Sequence, residues 1–306
     1  RRRVPARASP PTKAGPRHLA SELERILART TGEVDALVRR PAPGVEEIHR
    51  LHRSMRRLRV GFEMWGRLLP AADRGEAEVL ARRLKRLARL VGQVRDRDVV
   101  LALLDEARPG RGRPSESAQF HEFWGRLRDD SRAGRELLRA FVRTERDAGL
   151  FREIGATLRR APRARADTDL ARLMAEENRS HHEKVRRAHR KASERPSSER
   201  LHRLRIRLRQ LRHVAEITHS VEPAAAHRIP VSFRRLQDRL GVLHDLDVAL
   251  STLDPALERS DWAEQLKRIR QRVRRAARLE LDRTAGTVAG SALASRAGRV
   301  STPRWG

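Results

Sequence analysis

The chain has 306 residues, 38% hydrophobic and 36% charged, with 69 Lys and Arg against 40 Asp and Glu. Its formal net charge of +29 makes the compact state repel itself, so a polyanionic partner is the natural expectation. Cysteine is absent, which excludes disulfides and thiolate metal sites, and no apolar run approaches the roughly 20 residues that a membrane span needs.

Residues 1–16 carry Arg1, Arg2, Arg3, Pro5, Pro10, Pro11 and Pro16 and are expected to form a disordered basic arm. They lack the apolar stretch of a secretory signal, so the expected location is cytoplasmic. Leu, Ala and Arg dominate the rest of the chain, which favours helix over sheet. Leu19, Leu23, Ile26, Leu27, Val34, Leu37 and Val38 predict one helix, stopped by Pro41 and Pro43. A second is expected from Val45 to Leu69, ending at Pro70, and a third from Ala71 to Ala107 with a bend at Gly92. After a loop at 110–115, helices resume from Glu116 to Arg160. Pro162 marks a boundary, so residues 17–162 form a first helical half. A second half over 163–286 holds helices near 168–194, 198–221, 231–252 and 256–284, punctuated by Pro196, Pro223, Pro230 and Pro255. Residues 287–306 lose periodicity and predict a flexible tail. The expected fold class is all-α, with two pseudo-repeated antiparallel helical bundles.

The repeat is the most informative feature. Residues 48–59 (IHRLHRSMRRLR) and 201–212 (LHRLRIRLRQLR) agree at about half their positions, among them His49 with His202, Arg56 with Arg209 and Arg59 with Arg212. Downstream, 92–101 (GQVRDRDVVL) and 241–250 (GVLHDLDVAL) share Gly92 with Gly241, Asp96 with Asp245 and Asp98 with Asp247. Two motifs recurring in the same order are hard to credit to composition.

An Arg-rich composition spread over every solvated surface gives the same total charge, so placement decides. At about 100° per residue, Ile48, Leu51, Met55, Leu58, Phe62 and Trp65 share one arc of a helix. His49, His52, Arg56 and Arg59 fill the arc beside it. In the second half, Leu201, Leu204, Leu208 and Leu211 are flanked likewise by His202, Arg205, Arg209 and Arg212. Each basic stripe spans about 15 Å at 1.5 Å per residue. Like charges in a row repel, and a face chosen for solubility would mix in Glu, so the stripes point to an anionic ligand. Lys85, Arg86 and Arg95, with Arg234, Arg235 and His244, are matching basic positions on the third helices, of less consistent phase.

Asp98 and Asp247 continue the apolar stripes Leu84, Leu87, Val91, Val94 and Leu236, Leu240, Leu243. An inward carboxylate needs a cation, and the expected partner is a stripe Arg of the preceding helix. Asp96 and Asp245, two positions earlier, are expected to point away. The role of Asp98 and Asp247 is therefore structural.

Catalytic signatures are missing. No Gly-rich phosphate loop occurs. His121-Glu122 opens like a zinc-protease motif, but position 125 is Gly. His181-His182-Glu183 stands alone, and no Ser has a convincing base. No enzyme, metal or cofactor is expected. A nucleic acid held by its phosphates suits the charge, but aromatic content of 3% without Tyr leaves few stacking platforms.

At these residues the chain resembles the CHAD family, the "conserved histidine α-helical domain". The family motif looks like His-x-x-Arg-x-x-x-Arg/Lys-Arg/Lys-x-Arg at the start of a helix, followed by Gly-x-x-x-Asp-x-Asp, once per half. His202, Arg205, Arg209 and Arg212 match it, then Gly241, Asp245 and Asp247. In the first half His49, Arg56, Arg57 and Arg59 match, then Gly92, Asp96 and Asp98. His52 stands where Arg is usual, and Gln210 where a second basic residue is usual. The resemblance covers residues 17 to 285. It implies two four-helix bundles with a basic groove between them, which binds inorganic polyphosphate and associates with polyphosphate granules. Some relatives carry a triphosphate-hydrolysing tunnel domain; this chain shows no strand-rich segment or Glu-x-Glu-x-Lys motif, so that activity is not implied.

Overall fold

A computed structural model describes residues 16–40, 43–106, 118–160, 167–221 and 229–297. The arm before Pro16, the loop at 110–115, the boundary at Pro162 and the end of the expected tail lie outside the described residues.

Four helices open the chain: α1 (Pro16–Arg39), α2 (Val45–Leu68), α3 (Ala71–Glu106) and α4 (Ala118–Asp147). The short α5 (Leu150–Arg159) completes the first half. The second half holds α6 (Asp167–Glu194), α7 (Ser198–Val221), α8 (Val231–Thr252) and α9 (Asp261–Ala297), with a 3-10 turn at Pro255–Leu257. Among the described residues there is no strand. The ends follow local chemistry. Glu47 accepts from the Gly44 N–H at 2.7 Å and so satisfies one free donor at the start of α2. Leu69 ends the same helix in extended backbone, the conformation that Pro70 after it requires.

The helical stretch expected over 116–160 is divided where Gly149 takes φ +77, a left-handed conformation that a Cβ opposes. The third helix runs on through Gly92, whose missing side chain leaves the His52 ring in van der Waals reach. One local expectation changes. The last helix continues to Ala297, past residue 287 where the tail was expected to begin.

Three apolar clusters hold the helices together. One joins α1, α2, α3, α4 and α5 around Phe62 and Trp65, and takes in Leu170 and Met174 of α6 with Val214, Ile217 and Val221 of α7. A second joins Val100 and Leu104 of α3 and Phe120, Phe123 and Leu127 of α4 to Leu246 and Ala249 of α8 and Trp262 of α9. Only the third is confined to the second half. The first half thus has five helices rather than four, and two of the three clusters cross between halves. The large indoles are also anchored by donated hydrogen bonds, Trp65 to the Thr157 carbonyl at 3.2 Å and Trp262 to the Leu104 carbonyl at 3.1 Å.

Candidate functional site

Between the halves α2 packs on α3 and α7, and α8 packs on α3 and α7. The stripe residues Ile48, Leu51, Met55, Leu58, Phe62 and Trp65 are buried, which fixes the rotation of α2. Leu201, Leu204, Leu208 and Leu211 do the same for α7. The flanking basic stripes are thereby turned toward each other across the boundary.

Arg56 of α2, Arg95 of α3 and Arg205 and Arg209 of α7 form the centre. Each is half-buried, so a ligand can reach it. Burial, then the charge of Arg209 opposite, pulls the Arg56 guanidinium down to about 9, with Arg95 and Arg205 acting the same way. Burial and Arg205 pull Arg209 down to about 10. Arg205 is lowered by burial too, against the opposing pull of Asp245 and Asp96. A guanidinium at these values stays protonated at neutral pH. Burial is the leading cause at all three, and at Arg56 and Arg209 the neighbouring guanidiniums add to it. Arg59 and Arg212 sit at the ends of the stripes and are held by Glu63 at 2.7 Å and Glu216 at 3.4 Å.

The histidines are not part of the positive charge at neutral pH. Burial and then Arg56 hold His52 down to about 2, and burial lowers His49 with help from Arg95. Burial and then Arg205 hold His244 down to about 4, and burial lowers His202. The Nδ1 atoms of His202 and His244 lie 3.1 Å apart, so one ring donates and the other accepts. His213, buried beside Arg212, also reaches this region, since Arg56 is among the charges acting on it. Nothing in the sequence singled it out.

The acidic motif works differently from the sequence expectation. Asp98 is inward and buried, but its partner is Arg135 of α4, bonded at 2.5 Å, with Ser131 at 3.4 Å. Asp247 is only part-buried and is bonded by Arg270 of α9 at 2.5 Å. Both partners come from the following helix, not from a stripe. They do the same job in each half. Arg135 also donates to the Pro43 carbonyl ahead of α2, and Arg270 to the Ser198 hydroxyl at the start of α7. One turn on, Arg139 holds the Val38 carbonyl and Arg274 the Pro196 carbonyl. The second Asp of each motif thus positions the entry of the helix that carries the stripe.

Asp245 does not point into solvent, while the Asp96 side chain stays 47% exposed. Asp245 lies 3.8 Å from both Arg95 and Arg205, its side chain 16% exposed, and burial raises its carboxyl. Arg95 donates to Asp96 at 2.9 Å. A carboxylate two residues from an inward one faces the opposite side of its helix, and here that side is the other half of the molecule. These two carboxylates are the counter-charges of the arginine cluster.

Five of the sequence candidates fall elsewhere. Arg57 turns toward α1 and pairs with Glu22 at 3.4 Å. Lys85, Arg86, Arg234 and Arg235 are exposed, and among the described residues no hydrogen bond or ion pair ties them to the centre. Among the described residues no group of three or more His, Asp or Glu side chains is placed to hold a metal, and no helix is long and apolar enough to cross a membrane.

Two solved structures share this architecture. The CHAD domain from the plant Ricinus communis superposes with a TM-score of 0.62 at 19% identity, over 92% of this chain and 96% of that one. PptA from Streptomyces chartreusis superposes with a TM-score of 0.53 at 14% identity, over 88% and 98%. None of the curated proteins matches. The sequence itself matches the CHAD domain family across residues 19–254, which hold both histidine helices and both Asp-x-Asp motifs, and the chain belongs to that family.

Proposed function

We propose that this chain binds inorganic polyphosphate without transforming it, in a basic groove between the two halves, and that this binding places it at polyphosphate granules. The family is associated with polyphosphate in general. The observation that carries the reading here is the convergence of Arg56, Arg95, Arg205 and Arg209 on one half-buried surface with only Asp96 and Asp245 to offset them. Guanidinium forks bind phosphate oxygens in pairs, and a flexible anion with one charge per phosphorus can follow a line of them. Bound phosphates would supply counter-charge and hydrogen bonds in place of the water that burial takes from Arg56, Arg205 and Arg209. The neutral imidazoles of His49, His202 and His244 would add hydrogen bonds rather than charge. A phosphate-directed nucleic-acid binder would exploit the same arginines, but among the described residues no Phe or Trp is exposed for a base to stack on.

The test is binding of labelled polyphosphate, challenged with DNA and RNA at matched phosphate concentration. Arg56→Gln with Arg209→Gln should weaken binding by about 1.5–3 kcal/mol for each guanidinium–phosphate bond removed. Arg234→Gln with Arg235→Gln, away from the centre, should leave it nearly unchanged. Equal effects from both pairs would replace the groove by diffuse attraction, and displacement by duplex DNA would replace polyphosphate by nucleic acid.

A further inference from the structure

A second basic surface lies on the outer side of the second half. At about 100° per residue, Arg205, Arg209, Arg212 and His202 occupy one side of α7, while Arg200, Arg203 and Arg207 lie on roughly the opposite side. That opposite side faces a cleft of about 840 Å³ shared with α6. Arg200, Arg203 and Arg207 line one wall and Lys184, Arg187 and Lys191 the other, over a floor that includes Ala188 and Ile206. Gln210 also lines this cleft, so the missing cation of the second His-Arg motif is missing from here and not from the central groove.

A solvated face explains these charges poorly. Elsewhere on α6, Arg186 pairs with Glu183 at 3.5 Å and Arg190 with Glu194 at 3.8 Å. Along the cleft, among the described residues, Lys184, Arg187, Lys191, Arg200 and Arg207 form no ion pair with a carboxylate, although Glu183 and Glu194 lie one turn from Arg187 and Lys191; Arg200 donates to the Lys191 carbonyl at 3.0 Å and Arg207 to Gln210 at 2.9 Å. The one carboxylate in the lining is Glu194, the last residue of α6, and its partner is Arg190 outside the cleft. Arg203 is the exception among the cations, paired with Glu199, which lies outside the lining. Arg186 and Arg190 of α6 are thus paired, while five of the six cations lining the concave surface form no ion pair, among the described residues. Two rows of facing cations along antiparallel helices suit an extended, flexible anion lying between them.

We infer that the α6–α7 cleft is a second polyphosphate site, on the far side of α7 from the central groove, so that one protein can hold two polyphosphate segments and cross-link chains. This rests on the polyphosphate reading of the centre. It predicts that a short linear polyphosphate, too short to reach around α7, binds the full chain with a second equivalent beyond the first. Arg187→Glu with Arg207→Glu should abolish the second equivalent and leave the tighter first one intact. Arg187→Gln with Arg207→Gln should weaken it in the same direction, which guards against a folding defect of the reversed pair. With long polyphosphate, the wild-type protein should form light-scattering assemblies at stoichiometric ratios, and either outer pair should reduce them. Titration calorimetry and light scattering read both quantities. A single equivalent in the wild type, or a second equivalent untouched by both outer pairs, overturns the inference. Loss of the first equivalent only in Arg56→Gln with Arg209→Gln keeps the central reading standing whichever way the outer cleft turns out.

Discussion

Asp245 competes with any anion that enters the centre. It sits 3.8 Å from Arg95 and from Arg205, and burial already disfavours its charge. Asp245→Asn should therefore lower the melting temperature, because the arginines lose a counter-charge, and at the same time tighten polyphosphate binding. A purely structural Asp245 would move the melting temperature and leave affinity the same or weaker, so the two measurements together decide. The second Asp of each motif behaves oppositely. Asp98→Ala strands Arg135 beside a buried position and should cost about 3–5 kcal/mol in denaturant unfolding. Asp247→Ala breaks a pair whose partners are each about a quarter exposed, and should cost about 1 kcal/mol. Equal losses at the two positions would contradict the difference in burial.

At the scale of the helices, burial of histidine sets a pH response. His244 and His181 are held down to about 4 by burial, against an unfolded value of 6.5. A folded-state value below the unfolded one means the unfolded chain binds the proton better. The stability they contribute is complete above about pH 6.5 and is lost as pH falls toward about 4. Melting temperature should decline through that window without ligand. Polyphosphate should oppose the decline, since an anion favours the imidazolium and binds the folded state. Affinity should therefore rise as stability falls, while a ligand insensitive to the histidines would show no such opposition. The break between α4 and α5 gives a separate test. Gly149→Ala forces a side chain into φ +77 and should cost about 1–2 kcal/mol in urea unfolding with polyphosphate affinity unchanged.

For the whole molecule, the net charge of +29 predicts attraction that salt screens. With four central guanidiniums releasing counterions from a flexible anion, affinity should fall by roughly 50-fold between about 50 and about 200 mM salt. Salt-independent binding would exclude this mode. The helices were legible in the sequence, because an apolar residue every third or fourth position allows no other regular structure. So were the basic stripes, because burying Leu51 or Leu204 dictates where Arg56 and Arg209 must point. Gly149 escaped notice, since a single glycine within helical periodicity gives no sign that its φ is positive. The direction of the Asp-x-Asp motif escaped for a different reason. Helical phase shows that Asp96 and Asp98 face opposite ways, but it does not show which distant helix stands on either side. It took the packing of whole helices to bring Asp98 to Arg135 of the next helix, and Asp96 and Asp245 to the arginines between the halves. Packing also chose which cations converge. Arg56 and Arg57 are adjacent in sequence and alike in charge, yet one faces Arg209 across the boundary and the other reaches Glu22 of α1. About a hundred degrees of helix separates them. What lies at each angle is set by which distant segments pack there, and no local pattern encodes that.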